Sequence, residues 1–211
     1  MKNGISIVKF IYYNYFCKNV IRHGKGRLIP YQNSILDLAT GSQLHLYDKD
    51  VHIGTNKLKH SKRETDIRLK KNAEWQAKGY CEISYGVTIE VLESALLETG
   101  SFTMNSNSTM IVEEKVTIGN DVMIARNVVI FDSNFHPINC AGIVSQKSKP
   151  VIIEDHVWVG AGSMVLKGVV IGKNSIIAAG TLLTTDVSSD TILGNDQKQV
   201  PIKTGNIEWK R

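Results

Sequence analysis

Residues 153–188 read IEDHVW, VGAGSM, VLKGVV, IGKNSI, IAAGTL and LTTDVS, six consecutive units of six residues. The first position of every unit is aliphatic, the fifth is Val, Ser or Thr, and the third and fourth are mostly polar or glycine. Because side chains alternate along a strand, the first position and the fifth position of the preceding unit point to the same side. Glycine, asparagine and aspartate suit the tight corners between strands. Six units in phase predict a parallel β-helix, of which this period is the signature.

The same period appears upstream, where the first positions are Val112, Ile118, Ile124 and Ile130. The six-residue pattern recurs imperfectly in residues 31–54 and 83–91, and it is hard to recognise between residues 93 and 111. The spacing from Ile130 to Ile153 is not a multiple of six, so a segment between them is expected to leave the coil. We predict an all-β chain with a helical cap at residues 1–30, a β-helix at residues 31–190 and a C-terminal tail at residues 191–211.

The segment that leaves the coil carries the first candidate catalytic residue. His136 stands where the next aliphatic first position is due, and Pro137 ends the strand pattern directly after it. A histidine beside such an excursion is expected at a surface cleft, with its loop able to act as a lid. The alternative is a histidine that is hydrogen-bonded at a corner of the coil.

The segment 1–30 combines apolar and aromatic side chains with six basic side chains and no acidic one. The apolar run is interrupted by Lys9 and Asn14, which makes it too short and too polar to span a bilayer. It also lacks the cleavage site of a secretory signal. We favour a helix that caps the open end of the β-helix, and a helix lying on a membrane surface stays open as the alternative.

The net charge and the cysteine content limit the kinds of partner and of metal or disulfide site that we expect. The formal net charge is +5, and residues 57–78 hold much of the basic surplus. This segment is either a solvated surface or a basic lip over a phosphate-bearing ligand, and no nucleic-acid partner is expected. The three cysteines Cys17, Cys81 and Cys140 form no C-x-x-C pair, which is typical of a reducing cytoplasm and indicates neither a disulfide framework nor a metal site.

Several motifs together resemble the hexapeptide-repeat acyltransferases, in particular the maltose, galactoside and capsular-polysaccharide O-acetyltransferase group. The matching stretches are Asp132–Pro137 (DSNFHP), Val157–Ala161 (VWVGA), Lys167–Gly172 (KGVVIG), Ile177–Thr184 (IAAGTLLT) and Gly194–Asn195. The resemblance is good from about residue 112 to Lys198 and only general before that.

The resemblance implies a left-handed β-helix that assembles as a homotrimer, with active sites between neighbouring subunits and acetyl-CoA bound along the prism. By the same resemblance, His136 matches the catalytic base and Trp158 the tryptophan of the cofactor groove. The amide at Gly160 and Ala161 matches the oxyanion donor. Ala161 is also assigned to the cofactor, together with Ala179, Thr184 and Lys198.

The residues themselves support this chemistry. Acetyl transfer from a thioester to a hydroxyl needs a base that titrates near neutrality, and histidine is that side chain. Backbone N–H groups in a glycine-rich turn can stabilise the tetrahedral intermediate. Asp132 or Asn134 either orients the imidazole or holds the acceptor sugar. Trp158 precedes a first position and faces outward, so it packs against another subunit or a ligand.

The predicted function is therefore an acetyl-CoA-dependent O-acetyltransferase, with direct attack on the thioester and no acyl-enzyme. Its acceptor is a sugar or a surface-polysaccharide precursor, and it works in the cytoplasm or at the inner membrane face. The alternatives are N-acetylation of an amino sugar, Cys140 as an acyl-enzyme nucleophile, a zinc enzyme with three histidines, and a non-catalytic binding solenoid.

Overall fold

The computed structural model describes residues 4–136, 139–140, 143–144, 146–194 and 201–204, and the chain forms a left-handed parallel β-helix. A short helix α1 (Ile7–Ile11) continues as a π-helical turn (Tyr12–Phe16) before the strands begin. The strands of the N-terminal half are β1 (Val20–Arg22), β2 (Leu28–Pro30), β3 (Ser34–Leu38), β4 (Gln43–Leu46), β5 (Val51–Thr55), β6 (Thr65–Leu69), β7 (Glu74–Ala77), β8 (Cys81–Ser84), β9 (Thr88–Val91), β10 (Leu96–Thr99), β11 (Phe102–Met104) and β12 (Thr109–Val112). Those of the C-terminal half are β13 (Lys115–Ile118), β14 (Val122–Ile124), β15 (Val129–Phe131), β16 (Asn139–Cys140), β17 (Ile143–Val144), β18 (Val151–Ile153), β19 (Trp158–Val159), β20 (Met164–Val165), β21 (Val170–Ile171), β22 (Ile176–Ile177), β23 (Leu182–Leu183), β24 (Thr191–Leu193) and β25 (Pro201–Thr204).

The coil visits three parallel sheets in turn. Sheet 1 contains β1, β4, β7, β10, β13, β18 and β21, and sheet 3 contains β3, β6, β9, β12, β15, β20 and β23. Sheet 2 contains β2, β5, β8, β11, β14, β19, β22 and β24, and β25 adds to it in the antiparallel direction. We call the corners of the prism edge 1–2, edge 2–3 and edge 3–1 after the sheets that they join.

The predicted inward positions form the core. All six first positions of the decisive stretch have no exposed surface, and they are Ile153, Val159, Val165, Ile171, Ile177 and Leu183. The fifth positions of the same units are buried beside them, including Ser163, Ser175 and Thr181. The hydroxyls of Ser163 and Thr181 both donate to the carbonyl of Ala178, so these polar residues are buried with a partner.

The N-terminal half is more regular than its sequence pattern indicates. In sheet 1 the register pairs Trp75 with Leu97 and Leu97 with Val116, and neither spacing is a multiple of six. Only later, where Ile152 pairs with Val170, does one coil equal three of the sequence units. Larger side chains fill the wider early coils. Trp75 is fully buried and its indole N–H donates to the Thr99 hydroxyl at 3.0 Å.

The β-helix begins before the boundary predicted at residue 31, because β1 and β2 already pair in parallel with β4 and β5. The helical part of the cap is therefore confined to the residues before β1. Among the described residues, no helix is long and apolar enough to cross a membrane. At the other end, Lys198 lies outside the described residues.

Candidate active site

The chain leaves the coil at edge 3–1 after β15 and returns at β18, and we call the described residues between 132 and 150 the arm. Their two ends pair with each other, because Asn134 N–H donates to the Lys147 carbonyl at 2.9 Å and Lys149 N–H donates to the Asp132 carbonyl at 2.9 Å. Further out, β16 and β17 form an antiparallel pair. The excursion predicted between Ile130 and Ile153 is thus a hairpin with a hydrogen-bonded base.

Asp132 anchors the arm to the preceding coil. The residue is fully buried, and its carboxylate accepts hydrogen bonds from the backbone N–H groups of Glu113 (2.7 Å), Glu114 (2.8 Å) and Lys115 (2.7 Å). Burial raises the pKa of this carboxyl, although the three donors favour the charged form. The Asp132 carboxylate thus holds the backbone of the preceding coil, and its contact with the imidazole or the sugar stays a prediction. Asn134 is exposed.

His136 is exposed and follows a strained turn. Phe135 has a φ of +61°, a value that non-glycine residues rarely adopt, and its N–H donates to the Ser133 hydroxyl oxygen at 2.8 Å. The Phe135 ring packs edge-on against Phe131, with ring centroids 5.4 Å apart. These contacts fix the backbone on the N-terminal side of His136, so the imidazole is presented to solvent from an ordered turn.

Glu113 is a site residue that sequence reasoning missed. Its carboxylate accepts a 2.6 Å hydrogen bond from the Ser133 hydroxyl and forms an ion pair with Lys147. Burial raises the pKa of Glu113, but the hydrogen bonds from Lys147 and Ser133 and the nearby charge of His136 bring it below its ordinary value. His136 is among the charges that lower the Glu113 pKa, so the two side chains lie within electrostatic reach of each other. Only the stacking of one coil on the next brings residues 113 and 133 together.

A turn at edge 2–3 holds the predicted oxyanion donor. Ser163 N–H donates to the Gly160 carbonyl at 3.3 Å, and Gly162 has a φ of +72°, which together define a type II turn with Ala161 at its second position. Gly160 is buried, and its own N–H donates to the Ile177 carbonyl at 2.8 Å. The Gly160 N–H is therefore not available as a donor. Ala161 is exposed, and its N–H donates to no other group among the described residues.

The residues of edge 2–3 stack in a column along the prism. Gly162 N–H donates to the Arg126 carbonyl at 2.9 Å, and Gly180 N–H donates to the Ala161 carbonyl at 2.8 Å. Arg126, Ala161 and Ala179 thus lie one coil apart, and all three are exposed. Arg126 is a second residue that the sequence did not single out.

Exposed apolar side chains flank this edge on both sides. On sheet 2, Trp158 is 38% exposed and stands in register between Met123 and Ile176. On sheet 3, the neighbouring Met164 and Leu182 are 37% and 47% exposed. Large apolar side chains on the outer faces of a β-helix indicate surfaces that meet a ligand or another subunit. The outward position predicted for Trp158 is confirmed.

The basic segment lies partly along the same edge. The chain between β5 and β6 leaves the coil at edge 2–3 and carries Lys57, Lys59, Lys62 and Arg63. Arg63 donates to the side chain of Asn107. Two further basic residues of the segment form surface ion pairs, Arg68 with Asp37 and Glu90 on sheet 3, and Lys78 with Glu98 on sheet 1.

The predicted site residues therefore fall into two groups within one chain. His136, Asn134 and the exposed Thr184 lie at edge 3–1, whereas Ala161 and Ala179 lie at edge 2–3. About five residues of extended chain, roughly 15 Å, separate the two edges across sheet 3. The base and the oxyanion donor are not brought together by the fold of a single chain.

The structure also describes the residues on which a zinc site or a cysteine nucleophile would depend. Among the described residues, no group of three His, Cys, Asp or Glu side chains could hold a metal ion. His156 has its Nδ1 2.7 Å from the Asp121 carboxylate. Cys81 is buried, and burial raises the pKa of its thiol to about 12, so it carries no nucleophile. The side chain of Cys140 lies outside the described part of the chain.

The comparison with protein families agrees with the coil. The family model described as bacterial transferase hexapeptide (six repeats) matches residues 150–185. The chain carries the bacterial transferase hexapeptide repeat. The galactoside O-acetyltransferase of Lactococcus lactis subsp. lactis is 38% identical over 108 residues, which are 50% of this chain and 52% of that protein. That of Escherichia coli is 32% identical over 111 residues, which are 52% of this chain and 51% of that protein. This hexapeptide-repeat chain spans about half the length of the curated relatives that it matches.

Solved structures resemble the whole coil. A polysialic acid O-acetyltransferase superposes with a TM-score of 0.63 at 24% identity, covering 91% of each chain. A second polysialic acid-specific acetyltransferase gives a TM-score of 0.55 at 22% identity, covering 92% of this chain and 90% of that chain. Identities this low establish the fold alone. The resemblance to the hexapeptide-repeat acyltransferase group and the left-handed β-helix are confirmed.

Proposed function

We propose that this protein is an acetyl-CoA-dependent O-acetyltransferase that acts on a sugar or a surface-polysaccharide precursor. The observation that carries the proposal is His136, which stands exposed on a turn that the Ser133 hydroxyl and the Phe131 ring hold in place. The relatives that share half of the chain are named galactoside O-acetyltransferases, which supports a hydroxyl acceptor. N-acetylation of an amino sugar remains the second reaction to test, because the same base would serve it.

His136 acts as the general base in this proposal. The acceptor hydroxyl attacks the thioester carbonyl carbon while His136 takes its proton, so a C–O bond forms and no acyl-enzyme is needed. The negative charge on the former carbonyl oxygen is stabilised by the Ala161 N–H. Collapse of this intermediate breaks the C–S bond, and the proton held by His136 passes to the departing sulfur.

The surface along edge 2–3 fits acetyl-CoA. Trp158, Met164 and Leu182 offer apolar contact for the pantetheine chain, and Ala161 and Ala179 leave room for it between them. Arg126 and the basic residues 57–63 lie on the same edge and suit the phosphates of the donor or an acidic acceptor. Thr184 and Lys198 stay predicted cofactor contacts.

A trimer would complete the site. Since His136 and Ala161 lie on different edges of one chain, we propose that edge 3–1 of one subunit faces edge 2–3 of its neighbour around a three-fold axis. The exposed apolar residues of sheets 2 and 3 support such a contact. A cytoplasmic location, where acetyl-CoA is made, completes the proposal.

The test is a mass-shift screen with acetyl-CoA over hydroxyl and amino sugars, repeated with His136→Ala. Loss of a general base lowers turnover by about 10²- to 10⁴-fold. We expect that loss with an acetyl-CoA affinity within a few-fold of wild type and an unchanged Tm. His23→Ala is the matched control, since His23 is also exposed but lies in the first coil. Turnover of His136→Ala within a few-fold of wild type would exclude His136 as the base, and products from amino sugars alone would replace O- by N-acetylation.

A further inference from the structure

The N-terminal helix is docked with its polar side chains toward the protein. The Lys9 ammonium donates to the carbonyls of Gln32 (3.0 Å) and Ser34 (2.5 Å). The buried Asn14 side chain donates to the Leu28 carbonyl at 2.8 Å and accepts from the Leu28 N–H at 3.0 Å. The Tyr13 hydroxyl donates to the Leu36 carbonyl at 3.1 Å. Hydrogen bonds to the backbone of the first coil therefore hold the helix in place. They engage the polar groups of Lys9, Tyr13 and Asn14.

The apolar side chains of the same helix point to solvent. Their exposed fractions are 70% for Ile7, 81% for Val8, 45% for Ile11, 51% for Tyr12, 57% for Tyr15 and 71% for Phe16. A helix that only capped the core would turn its apolar stripe inward and its polar face outward. Here Tyr13 packs against the core, but the six side chains above, which recur at positions i, i+1, i+4 and i+5 of one helical face, are exposed instead.

Positive charge surrounds this apolar surface. The chain contains no acidic residue before Asp37. Lys18, Arg22, Lys25 and Arg27 are exposed, and none forms an ion pair within the part of the chain that the structure describes. Asp37 in the first coil acts electrostatically on Tyr13 and is paired with Arg68, and in the next coil Asp48 and Asp50 accept the backbone N–H groups of Lys25 and Arg27.

We propose that this end of the molecule binds the surface of an anionic membrane. Exposed Ile, Val and Phe side chains enter the boundary between headgroups and acyl chains, and tyrosines suit the interfacial zone. Basic side chains around them are attracted to anionic headgroups. Positive charge favours a membrane over a second copy of the chain as the partner of this surface. A second copy of this basic end would be repelled, whereas an anionic bilayer is attracted. The contact uses none of the groups assigned to acetyl transfer, so it stands apart from the proposed reaction.

Sedimentation with vesicles tests the proposal on the full chain. One set of vesicles contains phosphatidylcholine with about one third phosphatidylglycerol, and the other contains phosphatidylcholine alone. We expect wild type to sediment with the anionic vesicles, with binding that weakens as salt is raised. The double variant Val8→Asn/Phe16→Asn should bind at least about tenfold more weakly. Leu58→Asn is the matched control, because Leu58 is 63% exposed in the segment between β5 and β6.

Tm and light scattering distinguish the outcomes. Both substituted side chains are exposed, so the double variant should melt and assemble as wild type does. The proposal is overturned if wild type ignores anionic vesicles at low salt, or if the double variant sediments as well as wild type. It is equally overturned if the double variant changes the oligomeric state, because the helix would then cover a second copy of the chain.

Discussion

Ala161 allows a test of the oxyanion donor that leaves the backbone in place. Proline is favoured at the second position of a type II turn, and it has no N–H. Ala161→Pro should therefore keep the turn between Gly160 and Ser163 while removing the one hydrogen-bond donor that the proposed mechanism uses. We expect turnover to fall by about 10²- to 10³-fold with an unchanged Tm, as measured by initial rates and calorimetry.

Ala161→Gly separates the donor from the side chain, because glycine keeps the N–H. This control should retain turnover within a few-fold of wild type. Equal activity of the proline variant would remove Ala161 from the mechanism. A large drop in Tm would instead mean that proline does not fit this turn, which would contradict the type II geometry.

At the level of single residues, the sequence predicts a site residue when its position follows from the six-residue repeat alone. His136 was found because it replaces an aliphatic residue at a predictable position of the repeat. Glu113 and Ser133 were missed because their hydrogen bond exists only after one coil stacks on the next. The sequence also could not show that the Gly160 N–H is hydrogen-bonded whereas the Ala161 N–H, within the described part of the chain, is not. The partner of Gly160 is the carbonyl of Ile177, which lies one coil away.

At the level of elements, the arm depends on Asp132. Replacing this buried carboxylate by alanine leaves three backbone N–H groups without their acceptor. We expect Asp132→Ala to lower the free energy of unfolding by about 3 kcal/mol or more, as measured by urea denaturation. Asn134→Ala is the control on the same arm, and its exposed side chain should change the free energy by no more than about 0.5 kcal/mol. Equal stability of both variants would show that Asp132 does not anchor the arm.

The inward positions were predictable wherever the six-residue period holds, which includes Val112, Ile118, Ile124 and Ile130 as well as the later units. From Ile153 to Leu183 every first position is buried as expected. In the earlier coils the step from Trp75 to its partner Leu97 is longer than three units, so a search in steps of six loses phase although the strands remain paired. The helix of the cap was expected, but the hydrogen bonds of Lys9 and Asn14 that hold it in place depend on backbone carbonyls of the first coil.

At the level of the whole molecule, the distribution of the site over two edges is the feature that no local pattern reveals. The base belongs to edge 3–1 and the donor to edge 2–3, and these two edges of one chain are roughly 15 Å apart. A neighbouring subunit removes that separation if its opposite edge faces the arm. The proposed trimer is therefore a requirement of the proposed chemistry and can be tested through activity.

Complementation between two inactive variants supplies that test. His136→Ala lacks the base and Ala161→Pro lacks the donor, so each homotrimer should be inactive. In mixed trimers made by co-expression, a site between subunits is intact when the base comes from the Ala161→Pro chain and the donor from the His136→Ala chain. Random assembly at equal amounts makes about one quarter of the sites intact, so about one quarter of wild-type turnover should return. If each site lay within one chain, no mixture would recover activity, because every chain carries one of the two lesions.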